Sequence, residues 1–345
     1  MPTIIYPPTI DYGWLYQRPQ QLLKEMASLG YKVIYYNNEI YCKQRHSIME
    51  LNPNFLLTKS DIPLKYLRVE RPIISWISYP PHVKLAGSYG EELIVFDAID
   101  DASDEFSSWK KDLDKISKKA DIIFTTAKKM YYYHKKYHTS VYMCPNGADY
   151  QHFNRAKRLF DDRPKDLPKN VNPIIGYFGA VAPWIDWELI KYISTKNPNL
   201  NFVIIGPKYG SFSGTFNGDN IYYLGRKSYL ELPNYLQYFD VCLLPFKITS
   251  MIEGCNPIKL YEYLSSGKPV VATNMPEVTN IPGVYIGKGK EDFNTKIKES
   301  LKERFNLKDI NNRINYAKKN SWENRAKYAH SVIKGYLKAK NITID

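Results

Sequence analysis

The sequence predicts a two-domain α/β protein in which each domain is built on a parallel sheet. A chain of 345 residues is long enough for two domains with sizeable cores. Short runs rich in β-branched and aromatic residues alternate with helical patterns, as in successive βαβ units. The alternation stops at a polar stretch over residues 161–168 and then restarts, which predicts a linker between two domains.

The first half of the chain contains six short apolar runs that we expect to be strands. They cover residues 3–6, 32–36, 73–77, 93–96, 122–125 and 141–144. Helical patterns over residues 18–29, 104–119 and 128–137 lie between several of them. These elements predict an N-terminal domain over residues 1–165.

The second half repeats the pattern. Predicted strands cover residues 174–178, 202–205, 221–224, 241–244 and 270–273. The end of the chain is helical over residues 291–302, 310–319 and 321–340. We therefore expect a second domain over residues 166–320 and a final helical segment over residues 321–345.

The most informative segment lies between residues 256 and 271. Asn256 is predicted to cap a helix, Pro257 suits the first helical position, and Gly267 ends the helix. Lys259 lies in the first turn, where a free helix N-terminus suits a phosphate, and Glu262 lies on the same face. The spacing alone leaves open a second interpretation, a capped surface helix with an ordinary Lys/Glu pair.

The sequence of this segment, Asn-Pro-Ile-Lys-Leu-Tyr-Glu followed by Ser-Ser-Gly-Lys-Pro-Val-Val, resembles the nucleotide-sugar motif of glycosyltransferases with the GT-B fold, especially family 4. The resemblance implies two Rossmann-like domains facing a cleft, with the C-terminal helix crossing back to the first domain. It further implies that Lys259 contacts the phosphates of the donor, with Asn256 and Ile258 beside it, and that Glu262 holds the ribose hydroxyls.

One position departs from the family pattern. Family 4 usually carries a second Glu eight residues upstream of the first, beside the donor sugar. Here that position is Gly254, and the nearest carboxylate, Glu253, is one place off. Both inversion and retention at the anomeric carbon therefore stay open.

Two further segments of the second domain carry the resemblance. Gly179 ends a predicted strand, where a glycine lets a ligand approach the backbone, although tight turn packing explains it equally well. Arg226 follows Gly225 in a segment similar to the one that contacts the nucleotide base in the family, and a solvated basic loop is the alternative. The resemblance implies that Gly179 and Arg226 bind the donor.

The loop after the first strand resembles that of bacterial cell-wall glycosyltransferases, including those of the teichuronic acid type. The segment Gly13-Trp14-Leu-Tyr-Gln-Arg18-Pro-Gln carries this likeness. It implies that Gly13 approaches the donor diphosphate and that Trp14 and Arg18 contact the acceptor. A surface salt bridge is the alternative for Arg18.

Carboxylates follow the predicted strand at residues 93–96. Ligands bind beyond the carboxyl ends of parallel strands, and an inverting transferase needs a general base there. Asp100 is the first candidate, with Asp97 and Asp101 as alternates. For Asp101 and Asp104, capping of the helix that begins near Ser103 is an equally good explanation.

The formal net charge of +13 implies an anionic partner. Lysines and tyrosines between residues 110 and 138 suit an anionic membrane surface, and a solvated helix pair is the alternative. No motif of a nucleic-acid-binding fold accompanies the charge, so we expect no nucleic-acid partner.

These features predict a nucleotide-sugar-dependent glycosyltransferase of cell-surface polysaccharide synthesis, acting on a glycan or lipid-linked acceptor. The alternatives are a GT-B sugar-nucleotide epimerase and a non-enzymatic basic protein that binds nucleic acid or other anions. We expect no catalytic metal and no cofactor besides the donor. No signal peptide and no apolar run of membrane-spanning length are visible, so we expect a cytoplasmic protein, free or peripheral at the inner face of the membrane.

Overall fold

A computed structural model describes residues 2–38, 48–157, 163–210, 216 and 218–342. The chain divides into two compact units. Unit 1 runs up to Asn146 and also contains Gly254–Asn256 and the chain from Trp322 onward. Unit 2 comprises Gly147–Glu253 and Pro257–Ser321.

Unit 1 contains an eight-stranded sheet in the order β3-β4-β2-β1-β5-β6-β7-β8. Its strands are β1 (Thr3–Tyr6), β2 (Lys32–Asn37), β3 (Ile48–Asn52), β4 (Phe55–Lys59), β5 (Ile73–Ile77), β6 (Leu93–Ala98), β7 (Ile122–Thr125) and β8 (Val141–Met143). All pairs are parallel except the antiparallel pair of β3 and β4. The sequence prediction did not include β3 and β4. The β3 strand is exposed and has no buried apolar face, whereas β4 is largely buried and its short apolar run over residues 55–57 was overlooked.

Among the described residues, three α-helices join these strands, and a fourth ends unit 1. They are α1 (Arg18–Ser28), α2 (Lys110–Lys119), α3 (Lys128–Lys135) and, at the end of the chain, α11 (Trp322–Ala339). The segment Asp104–Trp109, expected as the first part of α2, is a separate 3₁₀ helix.

Unit 2 contains a six-stranded sheet in the order β11-β10-β9-β12-β13-β14, with every pair parallel. Its strands are β9 (Ile174–Phe178), β10 (Asn201–Ile205), β11 (Ile221–Tyr223), β12 (Val241–Leu244), β13 (Val270–Thr273) and β14 (Val284–Gly287). Its helices are α4 (Tyr150–Asn154), α5 (Trp187–Lys196), α6 (Leu232–Leu236), α7 (Ser250–Glu253), α8 (Ile258–Ser265), α9 (Lys290–Glu303) and α10 (Leu307–Lys319). Parallel strands joined by helices are the arrangement predicted from the alternating pattern.

The boundary between the units lies earlier than the expected position after residue 165. Gly147 already belongs to unit 2, and α4 packs against α8 and α6. The described end of the expected linker also belongs to unit 2, where Asp166 accepts a hydrogen bond from Tyr235 at 3.0 Å and Leu167 is buried. Residues 161 and 162 of that stretch lie outside the described residues.

The last helix belongs to unit 1, as the fold-class prediction required. Its buried residues recur at three- and four-residue spacing, which places them on one face. That face packs on α1, and the Tyr31 hydroxyl lies 2.9 Å from Nδ1 of His330. A helix that follows the whole of unit 2 in sequence thus completes the core of unit 1.

Candidate functional site

Helix α8 carries the two side chains that the sequence placed in a donor site. The helix begins at Ile258, and Pro257 occupies the N-cap position without a side-chain hydrogen bond to the first turn. Asn256 is not the cap, so that prediction was wrong. Its side-chain oxygen accepts instead from the backbone N–H of Asn146 at 2.9 Å, and its backbone carbonyl accepts from the Asn146 side chain at 2.6 Å.

The Lys259 ammonium lies 3.3 Å from a carboxylate oxygen of Glu262, one turn along the helix. Lys259 is 23% exposed, whereas Glu262 is only 1% exposed. Neither oxygen of Glu262 has a hydrogen-bond partner among the described residues. Burial raises the pKa of the Glu262 carboxyl, and the nearby Lys259 ammonium lowers it in part. A buried carboxylate without hydrogen bonds is costly, which indicates a site that a ligand with hydroxyl donors would complete.

Two glycines allow the loops after β9 and β10 to approach each other closely beside Lys259. Gly179, after β9, has φ +153°, and a Cβ there would lie 3.3 Å from the Lys259 side chain. Gly206, after β10, has φ +150°, and a Cβ there would lie 1.7 Å from the Gly179 carbonyl oxygen. Only glycine at residue 206 permits this approach of the two loops. Gly206 was not predicted from the sequence as a site residue, although this glycine also ends an apolar strand.

The loop after β11 carries two neighbouring basic residues in different environments. Arg226 is exposed, and the neighbouring Lys227 forms an ion pair with Asp166. Further along, the Tyr229 ring stacks on His152 with centroids 4.5 Å apart and donates its hydroxyl to Asp149 at 3.1 Å. This contact between α4 and the loop was not predicted, because its two parts are distant in sequence.

In unit 1, two of the predicted site residues bind each other. The Arg18 guanidinium donates to both carboxylate oxygens of Asp97 at 2.8–3.0 Å, and neither side chain is exposed. Arg18 also donates to the Cys144 carbonyl at 3.0 Å, and Trp76 donates to Asp97 at 3.2 Å. Arg18 therefore forms a salt bridge, as in the alternative interpretation, but this salt bridge is buried and does not lie at the surface. Arg18, the expected acceptor contact, and Asp97, an alternate candidate for the base, are thus bound to each other.

Asp100 lies just beyond β6 with an exposed side chain. Surrounding protein raises its pKa to about 6 by desolvation, Arg18 opposes this shift, and the carboxylates of Asp101 and Asp97 add to it. The residue is exposed in part, so a substrate can reach it, while the protein around its carboxyl group removes enough water to raise the pKa. A raised pKa makes it a better proton acceptor than an ordinary Asp.

Asp101 forms an ion pair with Lys129 at 3.2 Å. The helix-capping alternative for it is not observed, since the 3₁₀ helix begins after Ser103. A Cβ on Gly254 would lie 2.8 Å from Cβ of Asp101 and 3.0 Å from one of its carboxylate oxygens. A side chain larger than that of glycine at residue 254 would therefore meet Asp101.

The loop after β1 leaves its predicted residues near the surface. Gly13 is exposed, with open space around the position of a Cβ, and Trp14 is half-buried. The Trp14 backbone N–H donates to the Asp11 carbonyl at 3.0 Å. Among the described residues of unit 1, no contact therefore requires a glycine at residue 13.

The described residues contain no group of three or more His, Cys, Asp or Glu side chains arranged to hold a metal ion. Within the same residues, no helix combines the length and the apolar character needed to cross a membrane.

Comparison with known proteins places the second half of the chain in a defined class. Residues 172–303 match the family described as Glycosyl transferases group 1. A curated relative, TuaH of Bacillus subtilis (strain 168), is named as a proposed teichuronic acid biosynthesis glycosyltransferase and is 25% identical over 234 residues. The match covers 61% of this chain and 58% of TuaH, so the chain spans less than two thirds of that relative.

Solved structures share the fold over nearly the whole chain. A sucrose-phosphate synthase from Thermosynechococcus elongatus is similar with a TM-score of 0.76 at 14% identity, covering 98% of this chain and 99% of that one. The Anabaena protein HepE, in complex with UDP and glucose, is similar with a TM-score of 0.68 at 11% identity, covering 96% and 98%. The predicted GT-B fold class is thereby confirmed. Together the comparisons show the fold of nearly the whole chain and a glycosyltransferase family match for residues 172–303.

Proposed function

We propose that the protein transfers a sugar from a nucleoside diphosphate sugar to a glycan or lipid-linked acceptor in cell-surface polysaccharide synthesis. The observation that carries the proposal is the buried carboxylate of Glu262 at the start of α8, which pairs with the Lys259 ammonium but has no hydrogen-bond partner among the described residues. Structural neighbours described as complexes with UDP, UDP-glucose and ADP favour a nucleoside diphosphate donor. The name of TuaH favours a cell-surface polymer as the product.

In this proposal α8 binds the donor. Its N-terminus and the Lys259 ammonium attract the diphosphate, and the Glu262 carboxylate accepts hydrogen bonds from the ribose hydroxyls. The backbone near Gly179 lets the phosphates approach β9. Arg226, exposed after β11, would contact the base.

The chemical step forms one bond and breaks another. The acceptor oxygen bonds to the anomeric carbon, the bond from that carbon to the diphosphate oxygen breaks, and its electron pair leaves with the nucleoside diphosphate. Lys259 and the α8 amides stabilise the negative charge that develops on the leaving group. We assign Asp100 as the base that takes the acceptor proton, because it is exposed and its pKa is raised. The step then inverts the anomeric centre and needs no metal.

Asp97 has a different assignment. Because Arg18 and Trp76 already donate to its carboxylate, we propose that it supports the end of β6 and thereby positions Asp100.

We further propose that helices α2 and α3 attach the protein to an anionic membrane surface. Tyr132 and Tyr137 are 65% and 48% exposed, and Lys128 and Lys136 are also exposed. Tyrosines and lysines together suit the interface of an anionic bilayer. Lys129 contributes less, because Asp101 is its ion-pair partner.

The donor proposal is tested by thermal shift and calorimetry with UDP, ADP, GDP and their sugars. A ligand at about 100-fold its dissociation constant stabilises the folded state by about 2.7 kcal/mol. Lys259→Ala should weaken binding by about 1.5–3 kcal/mol, since it removes a charged hydrogen-bond donor.

Lys296→Ala is the matched control. Lys296 and Glu299 form an ion pair on α9 of the same unit with the same order and spacing as Lys259 and Glu262. If the Lys259→Ala variant and the wild type bind the nucleotide with equal affinity, the proposal that α8 forms the donor site is wrong.

A further inference from the structure

Three loops at the carboxyl edge of the unit 1 sheet bring polar and aromatic side chains together. They follow β1, β5 and β6, which are neighbouring parallel strands. Thr9 lies after β1, Tyr79 and His82 lie after β5, and Phe106 and Trp109 lie after β6. We call these five residues the aromatic edge cluster. Asp100 follows β6 at the same edge.

The rings of the cluster form a continuous series. Phe106 stacks on Trp109 with centroids 4.3 Å apart and planes 17° apart. Trp109 meets Tyr79 edge to face at 5.3 Å, and Tyr79 meets His82 edge to face at 5.0 Å. All four rings are only half-buried. Each therefore keeps part of its surface open to a ligand.

The His82 ring leaves its second nitrogen, Nε2, available to a ligand. Its Nδ1 lies 3.2 Å from the Thr9 hydroxyl oxygen, and that hydroxyl donates to the Pro7 carbonyl at 3.1 Å. The Thr9 hydroxyl has a single proton, which it can donate either to the Pro7 carbonyl or to Nδ1 of His82; when it donates to the carbonyl, Nδ1 carries the proton of its contact with Thr9. Nε2 is then an acceptor, and it has no protein partner among the described residues. Burial, with the nearby Lys84 charge, lowers the pKa of His82 to about 4, so the ring is neutral at physiological pH.

We propose that the aromatic edge cluster is the acceptor subsite and that its occupant is a pyranose ring. One C–H face of the sugar stacks on Trp109, and a sugar hydroxyl donates to Nε2 of His82. This rests on the glycosyltransferase function proposed above and narrows its acceptor to a saccharide terminus. A pyranose combines an apolar face with hydroxyl donors. A phosphate or carboxylate would meet the negative faces of aromatic rings and an imidazole lone pair, which disfavour an anion.

The test is saturation-transfer NMR on the full chain with methyl glycosides of glucose, galactose, mannose and N-acetylglucosamine, and with glycerol 3-phosphate as the non-sugar comparator. We expect saturation to reach the ring C–H protons of at least one glycoside. Trp109→Ala should raise its dissociation constant about 3- to 10-fold, as expected for loss of one aromatic contact. Trp109→Phe should recover most of the affinity, which separates loss of stacking from loss of folding.

His82→Phe keeps a ring beside Tyr79 but removes the lone pair. It should weaken the glycoside by a similar factor while saturation still reaches the ring protons. Tyr66→Ala is the control, because Tyr66 is a 67% exposed tyrosine of the same unit outside the cluster. Absence of saturation on every glycoside overturns the proposal, as do stronger saturation of glycerol 3-phosphate or unchanged affinity in both cluster variants.

Calorimetry with UDP on the same preparations reports separately on the donor proposal. If UDP binds and no glycoside binds, the proposal of an acceptor subsite is wrong and the donor proposal stands. Binding of a glycoside without binding of any nucleotide removes the donor site and leaves a saccharide-binding surface.

Discussion

Replacement of Glu262 by Gln tests the donor site, because its effects on binding and on stability should have opposite signs. Gln keeps the size of the side chain and removes the charge. Glu262 is 1% exposed, and its oxygens have no hydrogen-bond partner among the described residues. If ribose hydroxyls supply the missing hydrogen bonds, Glu262→Gln should weaken UDP binding by about 1.5–3 kcal/mol, a factor of about 10 to 150.

Without nucleotide, the same change should stabilise the protein at neutral pH. Burial raises the pKa of Glu262 in the folded state, so the free energy of unfolding is larger in acid and decreases as the pH rises through that pKa. Gln carries no charge and avoids this loss. The melting temperature of Glu262→Gln should therefore exceed that of the wild type at pH 7, and the difference should shrink in acid.

Calorimetry with UDP and 2′-deoxy-UDP, together with melting curves at pH 5 and pH 7, measures both effects. The wild type should discriminate against the deoxynucleotide, and Glu262→Gln should lose that discrimination. Glu299→Gln serves as the control, since Glu299 is 42% exposed in the matching ion pair on α9. Equal discrimination in wild type and variant would refute the ribose assignment, and a lower melting temperature with unchanged binding would make Glu262 purely structural.

Three further predictions address catalysis, membranes and Gly254. Asp100→Asn should keep UDP affinity and cut turnover by roughly 10²–10⁴, and wild-type turnover should fall below about pH 6, where Asp100 is protonated. Retention of configuration in the product would contradict the assignment of Asp100 as the base. Binding to anionic liposomes in a flotation assay should fall with salt and after neutralisation of the lysines at residues 128, 129, 135 and 136, whereas equally strong binding to neutral liposomes would contradict membrane attachment. Gly254→Ala should lower the free energy of unfolding by about 1–3 kcal/mol, because its Cβ meets Asp101. Gly335→Ala, whose Cβ meets nothing within 4 Å inside α11, is its control in chemical denaturation and should not lower stability. A free energy of unfolding of Gly254→Ala equal to that of the wild type would show that Asp101 moves aside freely.

The sequence predicted most strands and helices because their patterns are local. Strands buried on both faces of a parallel sheet are continuous apolar runs, and β1, β5, β7 and β9 are all of this kind. Of the missed strands, β4 is largely buried and carries a short apolar run, whereas β3 and β14 lack this pattern. The β3 strand is largely exposed, and β14 is mostly half-buried, so neither produces a distinct apolar run.

The pairing of Lys259 with Glu262 was also readable from the sequence, since a helix places residues three apart on one face. The same local argument failed at Asn256. Its side chain turned to Asn146, which is 110 residues away along the chain. No local pattern reports such a partner.

What only the tertiary structure decided is which carboxylates are free to act. Asp97 and Asp100 are three residues apart, and the sequence made Asp100 the first candidate base with Asp97 as an alternate. Folding brings Arg18, which lies 79 residues away, onto Asp97 and leaves Asp100 exposed. The composition and motifs of the chain determined its α/β class and the chemistry available to it. Burial and the partner of each charge are long-range properties, because they depend on which loops meet at the edge of a sheet.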